Sequence, residues 1–265
     1  LSSPSVSGAI ASALAESEPS AKVMAARRVA REWRKGRLPF RFDVAMPDVP
    51  GRPARPELLP PTKMPKRGRG QSLKGRIALF HALAHIEFVA IDLALDMAGR
   101  FGGEMGKDFV SDFLSVAADE AMHFVLLERR LRALGSFYGD LPAHGGLWDA
   151  AGETRHDVAA RLAVVPMVLE ARGLDVTPTT IERMRSAGDS AGVRILERIL
   201  DDEIRHVRVG ANHFAEVCER RGKSPDSTWK TLVKKHFRGR VSGPFNDSAR
   251  NAAGLSRELY AGIAY

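Results

Sequence analysis

Residues 119–123 read DEAMH and residues 202–206 read DEIRH. In both, Glu and His are three apart, so on a helix the two side chains leave the same face. Each frame sits in an otherwise apolar stretch, where dry packing would be lower in free energy than a row of ionisable groups, so its repetition asks for a chemical reason. Working outward, the apolar segment before each frame offers one carboxylate at a matching place: Glu87 in ALAHIEFVAIDLAL and Glu170 in LAVVPMVLEARGL. Glu87 and Glu120 are 33 residues apart, and so are Glu170 and Glu203. The equal offset reads as two related helical hairpins that face one another and bring together Glu87, Glu120, His123, Glu170, Glu203 and His206.

Four carboxylates crowding one low-dielectric pocket must either take up protons or bind cations. Two divalent metals meet that requirement, with two carboxylates free to bridge and one imidazole on each ion. Mixed oxygen and nitrogen ligation suits iron or manganese, and a thiolate site has only Cys218 to draw on. One Glu from each of two helices and Glu-x-x-His from two others is the ligand pattern of ferritin-like di-iron and di-manganese bundles. Asp119 and Asp202 stand where they can accept from the outer nitrogen of a ligating histidine, and Arg205 can join that network; the alternative for all three is salt bridging on the helix surface. His81 and His85 share a face, but Glu87 lies two residues past His85 and points elsewhere, so both histidines read as core or surface groups. Asp92 and Asp96 read as polar-face residues. His156 and His213 are candidates for access-channel or hydrogen-bonding groups, Tyr138 can offer its hydroxyl, and Phe88, Phe124 and Met167 are a shield for the metals, a lining of the substrate pocket, or simple core.

Helical periods predict long helices over about Leu73–Arg100, Lys107–Leu134, Glu153–Arg172 and Asp189–Arg221, with a smaller one over Pro178–Ala187. No strand-like alternation competes, so the expected fold is all-α: a ferritin-like four-helix bundle over 73–221. Residues 1–72 form an N-terminal helix (about Ala21–Lys35) and a wrap with seven prolines between Pro47 and Pro65, and 222–265 form a C-terminal extension whose first helix ends near Phe237. Phe237 and Phe245 are the expected anchors of that extension. Pro166 lies inside the third helix, four residues before Glu170, and predicts a kink there. The connection SFYGDLPAHGGLWDAAG at 136–152 is too long for a hairpin turn and suits a crossover between the two halves.

The balance of 44% hydrophobic, 27% charged and 7% aromatic residues is that of a globular protein, and a single cysteine excludes a disulfide scaffold. The most apolar stretch, Ile77 to Ala98, is broken by His81, His85, Glu87, Asp92 and Asp96, which argues for a buried helix and against a membrane span. No secretory leader is legible in residues 1–20, so a cytoplasmic location is expected. The formal charge of +8 permits an anionic partner without naming one.

The sequence resembles the DUF455 family of ferritin-like proteins. The resemblance rests on RPARPELLPPTKMP (52–65), HALAHIEFVAIDLALD (81–96), DEAMHF (119–124), YGDLPAH (138–144), VPMVLEARGLDVTP (165–178), ILDDEIRHVRVG (199–210) and HFRGRVSGPFN (236–246). It covers nearly the whole chain and implies a dinuclear metal centre held by the six residues above, without supplying a substrate.

A di-iron oxidoreductase that uses dioxygen to oxidise or hydroxylate a small organic substrate is the leading expectation, with two Fe ions, or two Mn or mixed Mn/Fe, and an external electron donor. Its rivals are a ferritin-like iron oxidase or storage protein, a di-manganese redox enzyme, and a tRNA-modifying hydroxylase or nucleic-acid-binding protein with a structural metal. The last draws on two basic runs, Lys230, Lys234, Lys235, Arg238 and Arg240, and Lys63, Lys66, Arg67, Arg69, Lys74 and Arg76, with no strong aromatic interleaving; solvated surface is the plainer reading of both. Oligomeric state is open.

Overall fold

A computed structural model describes residues 4–64 and 72–263. Of the second basic run, Lys66, Arg67 and Arg69 lie outside the described residues. The chain divides into two compact units, residues 1–145 and 146–265. Among the described residues the regular structure is helical, with one isolated bridge between Leu58 and Ala143. The fold is an all-α helix bundle with extensions, consistent with the ferritin-like arrangement.

The first unit contains α1 (Val6–Ala15), α2 (Pro19–Arg34), α3 (Leu73–Met105) and α4 (Lys107–Ala133). Helix α2 starts where expected because Glu18 caps it, accepting from the Ala21 amide, and Pro19 occupies its first position. α1 was not foreseen. Gly106 ends α3 and begins α4 at φ +102°, a conformation that closes the hairpin in one residue and that a side chain would strain. α3 is the one described helix long and apolar enough to cross a membrane, but 72% of its most apolar window is buried inside the protein, against α1, α2 and α4.

The proline-rich segment docks on this unit. Gly99 and Gly102 of α3 admit the residues leading into it closely: a Cβ on Gly99 would overlap Met46 Sδ, and one on Gly102 would meet the Phe42 ring at 2.8 Å. Asp92 and Asp96, expected on a polar face, are fully buried. Asp92 receives Lys22 of α2 and Arg52 of the wrap, each at 2.5 Å, and Arg100 Nη2 lies 2.8 Å from Asp96. A buried carboxylate needs such partners, and these two cations tie separate N-terminal segments to α3.

The second unit contains α5 (Gly146–Glu153), α6 (Val158–Val164), a π-helical stretch (Val165–Glu170), α7 (Ala171–Ser186), α8 (Ser190–Arg220), α9 (Pro225–His236), α10 (Asp247–Ala252) and α11 (Arg257–Ala261). α5 falls inside the segment read as a loop connection. The third long helix starts at Val158, later than expected, because Asp157 caps it by accepting from the Ala159 amide. It then runs on to residue 186 and absorbs the separate helix expected at Pro178. Pro178 deprives the Leu174 carbonyl of its helical donor, and Asn246 Nδ2 donates to that carbonyl at 3.1 Å instead. The C-terminal extension thereby repairs the break. It is anchored by Arg250, buried and bidentate on Asp175 at 2.8 and 2.7 Å, and by Phe245 against Tyr260, ring centroids 4.7 Å apart.

The kink expected at Pro166 takes the form of the π stretch. Trp229 Nε1 of α9 donates to the Ala163 carbonyl at 3.2 Å in the preceding turn. Gly210 of α8 leaves the room that Pro166 fills: a Cβ there would lie 2.4 Å from the proline ring.

Candidate metal centre

Glu87 of α3 and Glu120 and His123 of α4 come together inside the first unit. His123 Nδ1 lies 3.2 Å from Glu120 Oε2 and 3.3 Å from Glu87 Oε2, and each of the three residues offers a ligand atom within 4.8 Å of the other two. Glu120 and His123 are fully buried and Glu87 is 5% exposed. The hairpin explains the meeting: the i, i+3 pair leaves α4 on the face that packs along α3, the most extensive helix pairing in the molecule.

The electrostatics are those of a site short of positive charge. Burial pushes the Glu87 carboxyl well above its ordinary range, the Glu120 carboxylate pushes it further, and His123 only partly offsets them. Burial pulls the His123 imidazole down, but hydrogen bonds and charge attraction from Glu120 and Glu87 outweigh it and raise the pKa to about 11. The proton on His123 Nδ1 therefore does what a cation would do between two carboxylates. Two carboxylates and one imidazole nitrogen form a donor set that fits a first-row divalent metal, whose binding would release that proton.

In the second unit the matching frame lies on α8. Glu203 is 8% and His206 1% exposed, with His206 Nδ1 3.6 Å from Glu203 Oε1. Arg205 Nη2 donates to His206 Nε2 at 3.4 Å, a contact between the imidazole and the arginine singled out beside it. Asp202 pairs with Arg198 Nε at 2.7 Å along the same helix. Glu170 is half-buried at the end of the π stretch. Asp119 is half-buried and lines a groove between α2 and α4.

Beside Glu87 and His123, the rings of Phe88 and Phe124 are buried with centroids 5.4 Å apart, and Tyr138 contacts both. His81 and His85, read as core or surface groups, turn out to organise the 138–144 loop. The Gly139 and Leu141 amides donate to His81 Nε2 at 3.0 and 3.3 Å. Tyr138 Oη donates to His85 Nδ1 at 2.9 Å, and His85 Nε2 donates to the His144 carbonyl at 3.2 Å. Burial drives the His85 pKa down to about 4, so the ring stays neutral. His213 Nδ1 lies 3.1 Å from Glu216, and His156 is exposed. Cys218 is buried on α8. Sequence reasoning missed the roles of Lys22 and Arg52; the available signal was an acidic residue, Asp92, in a stretch too apolar to leave it unpaired.

Fold and cluster together define an all-α helix-bundle protein with buried carboxylates and an imidazole gathered as candidate metal ligands. The chain belongs to the DUF455 family: residues 15–261 match the family described as "Protein of unknown function (DUF455)". A Haemophilus influenzae protein described as "Uncharacterized protein" is 41% identical over 211 residues, 77% of this chain and 73% of its own length. No solved structure matches the chain significantly.

Proposed function

We propose that the protein is a non-haem dinuclear metal oxidoreductase, with iron as the metal, that activates dioxygen to oxidise or hydroxylate a small organic substrate. The observation that supports it best is the buried trio of Glu87, Glu120 and His123, two mutually repelling carboxylates about one imidazole. The proposal takes Glu170, Glu203 and His206 as the remaining ligands, with one imidazole on each ion, following the repeated Glu-x-x-His frame and the equal 33-residue offsets. Bound iron would supply the reduction of dioxygen, drawing electrons from an external donor. The chain's part is to hold the ions with its carboxylates and imidazoles and to give up the His123 Nδ1 proton when they bind. Burial of Glu87, Glu120 and His123 keeps water from these side chains, which strengthens every charge interaction among them.

The test is metal content after anaerobic reconstitution, with spectra recorded before and after oxygen. About two irons per chain and an oxygen-dependent absorption change support the reading. Two manganese ions bound in preference to iron keep the centre and replace the chemistry. Accumulation of iron far beyond two per chain favours storage, and failure to bind either metal removes the centre.

A further inference from the structure

Along the seam between α2 and α4 runs a groove of about 760 Å³ that has no part in the proposed metal chemistry. Its wall carries Arg27, Arg28, Arg31 and Arg34 against two acids, Glu16 and Asp119, while Met24, 68% exposed, offers an apolar patch. Arg27, Arg28 and Arg34 enter no ion pair among the described residues, and Arg31 has only the half-buried Glu32 beside it at 3.1 Å. A second cavity of about 740 Å³ shares Ala30, Arg34, Ala118 and Asp119 with the first and adds Trp33, Phe40 and Lys107. Trp33 Nε1 donates to Ser111 Oγ at 2.9 Å, which fixes its ring at the groove, and Phe40 is 38% exposed. The stretch REWRKGRLPF at 31–40 is thus the aromatic and basic interleaving that the two basic runs lacked.

On α4 the groove is lined by Ala118, Asp119 and Met122, and neither Glu120 nor His123 lines it. With none of the candidate metal ligands in its lining, the groove reads as a docking surface rather than a substrate entrance. Arg27 and Arg34 are seven residues, about 10 Å, apart along α2, so the cations match a run of anionic groups rather than one. Guanidinium groups bind phosphate oxygens in pairs, and exposed aromatic rings stack bases. A concave cleft with rings along it suits a strand better than the surface of a bilayer.

We propose that the α2–α4 groove binds single-stranded nucleic acid, with Arg27, Arg28, Arg31 and Arg34 on the phosphates and Trp33 and Phe40 against bases. The test uses the whole 265-residue chain, metal-stripped so that its outcome is independent of the metal reading, and a fluorescein-labelled twelve-nucleotide oligouridylate. The variant R27Q/R28Q/R31Q/R34Q is compared with wild type and with a K234Q/K235Q/R238Q control on the other basic run. Wild type should bind at low salt and quench Trp33 fluorescence, a signal lost in W33F. The four-arginine variant should bind at least tenfold more weakly, with a log Kd against log salt slope lowered by up to about 3, at roughly 0.7 per phosphate contact. The substituted arginines are exposed, so unchanged circular dichroism is expected. No binding by wild type, equal weakening in the control, or loss of binding to phosphatidylserine vesicles with oligouridylate binding intact would overturn the proposal.

Discussion

At His85, stability is tied to pH. Its pKa in the fold is about 4, against an ordinary 6.5, because burial disfavours the imidazolium. As pH falls below 6.5 the unfolded chain takes up a proton that the folded chain refuses, so stability declines from there toward pH 4 and is not regained below it. The loss at pH 5 is about 2 kcal/mol. Chemical denaturation of wild type and H85Q at pH 7 and pH 5 checks this, the variant showing the smaller difference between the two. The metal trio makes a second prediction at the same scale. Ferrous or manganous ion at a hundredfold excess over its Kd should stabilise wild type by about 2.7 kcal/mol. E120Q should lose that gain while melting, metal-free, at or above the wild-type temperature, since one of two repelling buried carboxylates is gone. A metal-dependent shift retained in E120Q would show that the ion binds elsewhere.

At the scale of elements, the π stretch and α8 form a matched pair. Alanine is a better helix former than glycine by about 1 kcal/mol, so G210A on propensity alone would stabilise α8. Pro166 reverses the sign: a Cβ 2.4 Å from its ring forces the helices to shift, and overpacking of that kind costs about 1–3 kcal/mol. P166A removes the obstructing ring, so the double variant should recover most of what G210A loses. Urea titrations of the four proteins give the coupling, and an additive cycle would mean that the two residues do not meet. The long helices α3, α4 and α8 were legible from apolar periodicity within a few residues of their ends, because glycines and Asp189 mark where they stop and start. The third helix was legible only in part, because its start was read five residues early and Pro178 was read as opening a separate helix. What keeps it continuous are donors and space supplied from distant sequence, Asn246, Trp229 and Gly210.

At the scale of the whole molecule, the N-terminal segments are fastened by charge. Asp92 is fully buried between Lys22 and Arg52, and both cations lie over the Phe88 ring, 5.6 and 5.8 Å from its centroid. D92N leaves both cations without that carboxylate and should cost about 3–5 kcal/mol, whereas K22M leaves Asp92 paired with Arg52 and should cost less. Thermal melts give the order, and limited proteolysis should cut the 47–64 segment of D92N first; K22M melting below D92N would contradict this reading. The sequence by itself determined the all-α class, the two Glu-x-x-His frames and the six candidate ligands, because helical period and residue spacing are local properties. Only the tertiary structure decided that Glu87, Glu120 and His123 meet, that the wrap is bolted to Asp92, that His81 and His85 shape a loop, and that the α2 arginines line a groove. Each of those depends on which residues distant in sequence bury one another's charges and unsatisfied carbonyls, and that is settled when the helices pack.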